Sequence, residues 1–124
     1  MAAPNIAALG TVTGKTAMAA VTTSNAALIN NPADSGKVLK VNSIIVANVD
    51  GTNAASITVR VFSEDDLGGT GYALASTINV PADSSIVILG KDSAIFLEEN
   101  MSIGVQASAD NDLEAVASYE EVSE

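Results

Sequence analysis

Gly10-Thr11-Val12-Thr13-Gly14-Lys15-Thr16 comes close to a phosphate-binding loop, GxxxxGK[ST], and Ile44-Ile45-Val46-Ala47-Asn48-Val49-Asp50 to the strand and aspartate that would hold its magnesium. Such a loop works by aiming successive backbone N–H groups at one phosphate, so its spacing is fixed. Here three residues separate Gly10 from Gly14 where four are needed. The sequence that follows has no clear helix to lend its N-terminal dipole. The match is therefore read as chance.

Two acidic runs carry the next possibility. Glu64-Asp65-Asp66 and Asp110-Asn111-Asp112-Leu113-Glu114 offer oxygen ligands of the kind calcium takes. The second opens like an EF-hand loop but has Leu113 and Glu114 where that pattern wants alternating donors and then glycine. Both are read as solvated loop tips. Paired carboxylates can also hydrolyse glycosides when they flank a groove. The adjacent pairs Glu98-Glu99 and Glu120-Glu121 would point to opposite faces of a strand and do not converge unless they lie in a turn. Ser, Thr and Lys are present, but no spacing selects a nucleophile pair.

What the chain lacks narrows the field further. It has no Cys and no His, which removes disulfides, thiolate nucleophiles, His-assisted serine triads and ordinary zinc sites. Four aromatic residues, Phe62, Tyr72, Phe96 and Tyr119, are too few for a base- or sugar-stacking platform and are read as core or interface filler. A net charge of -10 repels a nucleic-acid backbone. The expectation is a protein with no catalytic site, no cofactor and no metal.

The elements available to position these residues are strands. Met101, Ile103, Val105 and Ala107 alternate with polar or small residues, as do Ile57, Val59 and Val61, and Leu113, Ala115, Ala117 and Tyr119. That period of two marks half-buried strands. The same reading puts Tyr72, Leu74, Ile78 and Val80 on one side of a strand. In the run Val38 to Val49 it puts Leu39, Val41, Ile45 and Ala47 on one side. Ile86 to Leu89 does not alternate, so it is either a central strand covered twice or part of an interface. Thr16 to Ile29 is the weakest stretch: its alanines tolerate a helix, while Val21, Thr22 and Thr23 favour a strand.

Turn signals at Asn31-Pro32-Ala33-Asp34, Asp50-Gly51, Gly68-Gly69-Thr70-Gly71, Pro81-Ala82-Asp83 and Ala109-Asp110-Asn111-Asp112 separate the runs. At 124 residues the chain fits one domain. The expected fold is all-β: a single antiparallel β-sandwich over residues 10–124, immunoglobulin-like or jelly-roll-like, led by a short extended arm over residues 1–9. Pro32-Ala33-Asp34-Ser35 and Pro81-Ala82-Asp83-Ser84 repeat one tetrapeptide, read as the same favourable turn used twice.

Surface properties suggest assembly. Charged residues are only 16% of the chain against about 25% in a typical domain, so the polar surface is largely Ala, Ser, Thr and Asn. Residues 1–60 carry a balance of +2 and residues 61–124 one of -12. The acids are expected on the solvent side, so that Glu120→Lys with Glu121→Lys leaves attachment to a particle intact, whereas reversing Lys37 and Lys40 slows it. Lys15, Lys37, Lys40 and Arg60 are the cations available to a partner. The arm, with Pro4 breaking a ladder and Ile6 and Leu9 isolated, is expected to add as a strand to a neighbour. No basic start followed by an apolar block is visible, and no run spans a membrane, so the chain reads as soluble and made in the cytoplasm.

Several stretches together resemble a known group. They are Met1-Ala2-Ala3-Pro4-Asn5-Ile6; Asn31-Pro32-Ala33-Asp34-Ser35-Gly36-Lys37-Val38 leading into Ile44-Ile45-Val46-Ala47-Asn48-Val49-Asp50-Gly51; Ala75-Ser76-Thr77-Ile78 with Val80-Pro81-Ala82-Asp83; and Asp112-Leu113-Glu114-Ala115-Val116-Ala117-Ser118-Tyr119-Glu120-Glu121. In these the chain resembles small virion structural proteins of tailed bacteriophages, especially marine and cyanobacterial ones. The resemblance covers nearly the whole chain but rests on strand and turn signatures, so it transfers no functional residue. It implies a capsid decoration (cement) protein on the outside of an icosahedral shell, with the major capsid protein and copies of itself as partners and a homotrimer at local three-fold positions. A tail, neck or baseplate component is the alternative within that class. A calcium- or carbohydrate-binding sandwich module is the alternative outside it.

Overall fold

The structure, a computed structural model, describes residues 10–124. The expected arm, with Pro4, Ile6 and Leu9, lies outside the described residues. Nine strands follow in order: β1 (Thr11–Val21), β2 (Ala26–Asn31), β3 (Lys37–Asn48), β4 (Ala55–Phe62), β5 (Gly71–Val80), β6 (Ser85–Leu89), β7 (Ile95–Leu97), β8 (Met101–Ala107) and β9 (Leu113–Ser123). Among the described residues the helical pieces are two single 3₁₀ turns, Asp65–Leu67 and Lys91–Ser93. No helix there is long and apolar enough to cross a membrane.

All pairings are antiparallel and form two sheets, β1-β9-β3-β6 and β2-β8-β4-β5. β7 continues the β6 position along the same edge of β3, opposite Leu39 to Val41. This is the strand order of a jelly roll, two interleaved Greek keys, and not that of an immunoglobulin sandwich. The core lies between the sheets. Val41, Ile44 and Val46 of β3 meet Ile57 and Val59 of β4 and Ile103 of β8, all fully buried. Thr16 to Ile29 resolves into the end of β1, a turn and β2, so the β-branched residues outweigh the alanines.

Two faces differ from the alternation read in the sequence. In β3 the pairing with β9 shifts between Val41 and Ser43. The extra residue at this bulge reverses the phase, so Ile44, Val46 and Asn48 point inward and Ile45 outward. In β5 the pairing with β4 shifts twice, and Thr77 takes a left-handed φ of 54°. Ala75 and Val80 are therefore the buried positions, while Tyr72, Leu74 and Ile78 are exposed. β6 is an edge strand with Val87 outward, so of the two readings offered for it the doubly covered central strand falls away.

The repeated tetrapeptides form alike turns, each with its Asp in the left-handed region (Asp34 at φ 58°, Asp83 at φ 55°), a conformation that Asp tolerates better than most residues. Each follows a strand of the second sheet and leads into one of the first.

Candidate assembly surface

The two outer faces of the sandwich are not equivalent. On the second sheet, central strand β8 is covered by the chain's own loop: Leu67 N–H donates to Ser102 Oγ (2.9 Å) and Ser102 Oγ–H to the Glu64 carbonyl (2.8 Å). A Cβ placed on Gly104 would lie 2.7 Å from Leu67 Cδ2, which shows how closely that loop sits.

The first sheet carries a row of apolar side chains on its outer face. Met18 of β1 pairs with Val116 of β9, Val116 with Ile45 of β3, and Ile45 with Val87 of β6. Their exposures are 74%, 44%, 40% and 62% in that order, so one row across four strands is open to solvent. Cross-strand neighbours of this kind cover one another only in part, and contiguous exposed apolar patches mark interaction sites more often than isolated ones do. Ala20, Glu114 and Ala47 flank the row on one side and Thr16, Ser118 and Ser43 on the other. A shallow depression beside it is lined by Met18, Ala20, Glu114 and Val116. Alternation could have revealed the row, had the bulge at Asn42 been visible.

The four cations singled out from sequence are not brought together. Lys15 and Lys37 share one carboxylate: their Nζ atoms lie 2.9 Å and 2.6 Å from Glu121. Hydrogen bonds from Lys37 and then Lys15 hold the Glu121 carboxyl below its usual range, and the bond to Glu121 raises Lys15. Glu121 is thus the shared anchor of two lysines. Lys40 sits opposite Glu120 and Phe96 in the first sheet, and Arg60 between Ala73 and Gly104 in the second. Among the described residues, neither makes an ion pair.

Three loop acids act locally. Asp65 accepts the Ala33 N–H (3.1 Å), Asp66 accepts from Asn30 Nδ2 (3.1 Å) and Asp110 accepts the Thr23 N–H (2.8 Å), so each ties a loop to its neighbour. Among the described residues, no three acids gather as a metal would need. Of the stretch Gly10 to Thr16, all but Gly10 lie within strand β1, so it forms no phosphate-cradling loop.

No family model matches the chain, and no curated protein matches its sequence. Its fold is similar to that of a protein of Bacillus endospore appendages, a family of disulfide-linked pili, with 14% identity and a TM-score of 0.51 over 91% of this chain and 87% of that one. It is similar also to a chain of the acid-stable capsid of Helicobacter pylori bacteriophage KHP30, with 12% identity and a TM-score of 0.50 over 93% and 90%. A third similarity is to the T13 IBDV viral particle, with 10% identity and a TM-score of 0.50 over 93% of this chain but 32% of the other. At these identities the likeness is one of fold.

Proposed function

We propose that this protein is a non-enzymatic structural component of a virus particle, and within that class a decoration protein bound to the outside of an icosahedral shell. The observation that carries the reading is the bare apolar row Met18–Val116–Ile45–Val87 on a jelly roll. Jelly rolls build many viral capsids, though they also build lectins, and fold alone does not assign function.

The fold likeness to a phage capsid chain and to part of a second virus particle supports the same class. The pilus likeness supports self-assembly in a general sense, but linkage through disulfides does not carry over to a chain with no cysteine. On this reading the neutral row makes the contact, Lys40 on the same face answers acidic groups on the shell, Arg60 on the other sheet lies away from it, and most acids face solvent. Buried neutral area then sets the lifetime of the complex and charge its rate of formation.

Counting copies in purified particles, together with imaging of particles that lack the protein, tests the proposal. Hundreds of copies on the outer shell are expected. A few to a few tens would place it in the tail, neck or baseplate. Absence from particles, with calcium- or glycan-dependent binding by the isolated domain, would overturn the structural reading.

A further inference from the structure

A jelly roll leaves four sheet edges open, and natural proteins guard such edges by shortness, bulges or charge. Three edges here are guarded. β2 has six residues and a register shift, β6 has five residues beside another shift, and β5 has two shifts and the left-handed Thr77. β1 is different. All eleven of its residues pair with β9 without a shift, and Thr11 to Thr16 are exposed. It carries no acid, and Lys15, its one charge, is already held by Glu121.

Gly14 in the middle of this strand has no explanation among the described residues of one copy. Glycine weakens a strand interior and is usually kept for a bulge, a strained φ or a close approach of another backbone. The pairing at Gly14 has no bulge, its φ is not positive, and a methyl group there would meet nothing within 4 Å.

We propose that two copies pair antiparallel through the edge of β1 that is unpaired among the described residues, about a two-fold axis at Thr16, with Met18 of each copy laid over Gly14 of the other. The register follows from length. Keeping all eleven residues paired sets Thr11 opposite Val21 of the other copy, which puts Thr16 opposite itself and Gly14 opposite Met18. The most exposed side chain of the apolar row thereby meets the one position on β1 that offers no side chain. Lys15 falls opposite Ala17, so no like charges stand directly across from each other. The pairing goes beyond the particle reading, because it holds for the free protein whether or not a shell binds it.

The absence of cysteine makes single-cysteine variants clean probes. Under mild oxidation or with a short bis-maleimide, which adds to one thiol at each end, Thr16→Cys is expected to give covalent dimers. Ala20→Cys is not, since its counterpart would lie about 27 Å along the ladder. Gly14→Val is expected to raise the melting temperature of dilute protein, by replacing glycine with a strand former. It should at the same time weaken self-association in sedimentation equilibrium about tenfold or more, through loss of the Met18 contact. A protein monomeric at roughly 100 µM, equal cross-linking at positions 16 and 20, or unchanged association of a folded Gly14→Val variant would each overturn the pairing. Copy number on particles bears on none of these outcomes.

Discussion

Asp112 lies beside Asp50, so that the two carboxyl groups feel one another, and their surroundings divide the roles. The backbone N–H groups of Thr52 (2.7 Å) and Asn53 (3.1 Å) and the Asn53 side chain hold Asp50 below the usual carboxylate range. Burial and then the Asp50 neighbour push Asp112 up. A group whose folded-state pKa is raised binds its proton more tightly when folded, so it costs stability as pH rises through that range. Asp112→Asn should therefore raise the melting temperature near neutral pH. The gain should shrink on acidification and vanish by about pH 3, where wild-type Asp112 is protonated. A gain independent of pH in thermal melts would contradict the pairing.

Glu121 has the opposite sign. Its lowered pKa contributes stability that is present above the ordinary carboxylate range and lost as pH falls through the folded value. The raised Lys15 keeps its share until pH rises through its own folded value, above 10.5. Glu121→Gln is expected to lower the melting temperature at neutral pH by a few degrees, on the order of what partly exposed ion pairs give. The deficit should lessen in high salt and disappear in acid. A deficit that persists in acid would mean that packing, and not charge, is what Glu121 supplies.

The bulge in β3 sets up a paired test. Ile44→Ala removes a fully buried side chain and should cost about 2–5 kcal/mol. Ile45→Ala, on the outer face, should cost less than about 1 kcal/mol in the isolated protein. Denaturant unfolding of both variants decides the phase, and a reversed order would restore the alternation first read from the sequence.

That pair also marks what was legible in the sequence. Strands, turns and the sandwich class followed from period-two runs and from Asp, Gly and Pro signals, because those are local properties of the chain. The phase beyond Asn42 and beyond Ser76 was not, because a bulge is a relation between two strands and leaves no mark on one of them. The apolar row was hidden for the same reason: Met18, Val116, Ile45 and Val87 are scattered through the sequence and become neighbours only through the sheet. Of the four cations, Lys15 and Lys37 owe their meeting at Glu121 to the same long-range register.

Asn48 shows how the β3 phase shift brings a polar group inside. Its Nδ2 donates to the Asn53 carbonyl (3.0 Å) and the Val80 carbonyl (2.9 Å), and its Oδ1 accepts the Asp50 N–H (2.9 Å). Asn48→Leu leaves these backbone groups without partners and should cost about 2–4 kcal/mol despite its added apolar area. A neutral or stabilising effect in chemical denaturation would show that water replaces the lost bonds.

Lys40, on the face of the apolar row and free of an ion pair among the described residues, offers a test of how the proposed shell contact forms. Lys40→Glu should slow attachment to particles at low salt while leaving dissociation nearly unchanged, whereas Val87→Asp should speed dissociation. Equal effects of the two variants on both rates would place the contact elsewhere.

The position of β9 has a consequence for how each copy is made. β9 lies in the middle of the first sheet, between β1 and β3, although it is the last strand of the nine in chain order. During synthesis β1 emerges about a hundred residues before its partner, an interval of about 5–20 s at ordinary rates of translation. Through that wait both edges of β1 are open, and the first sheet can close only after synthesis of the sandwich is all but finished.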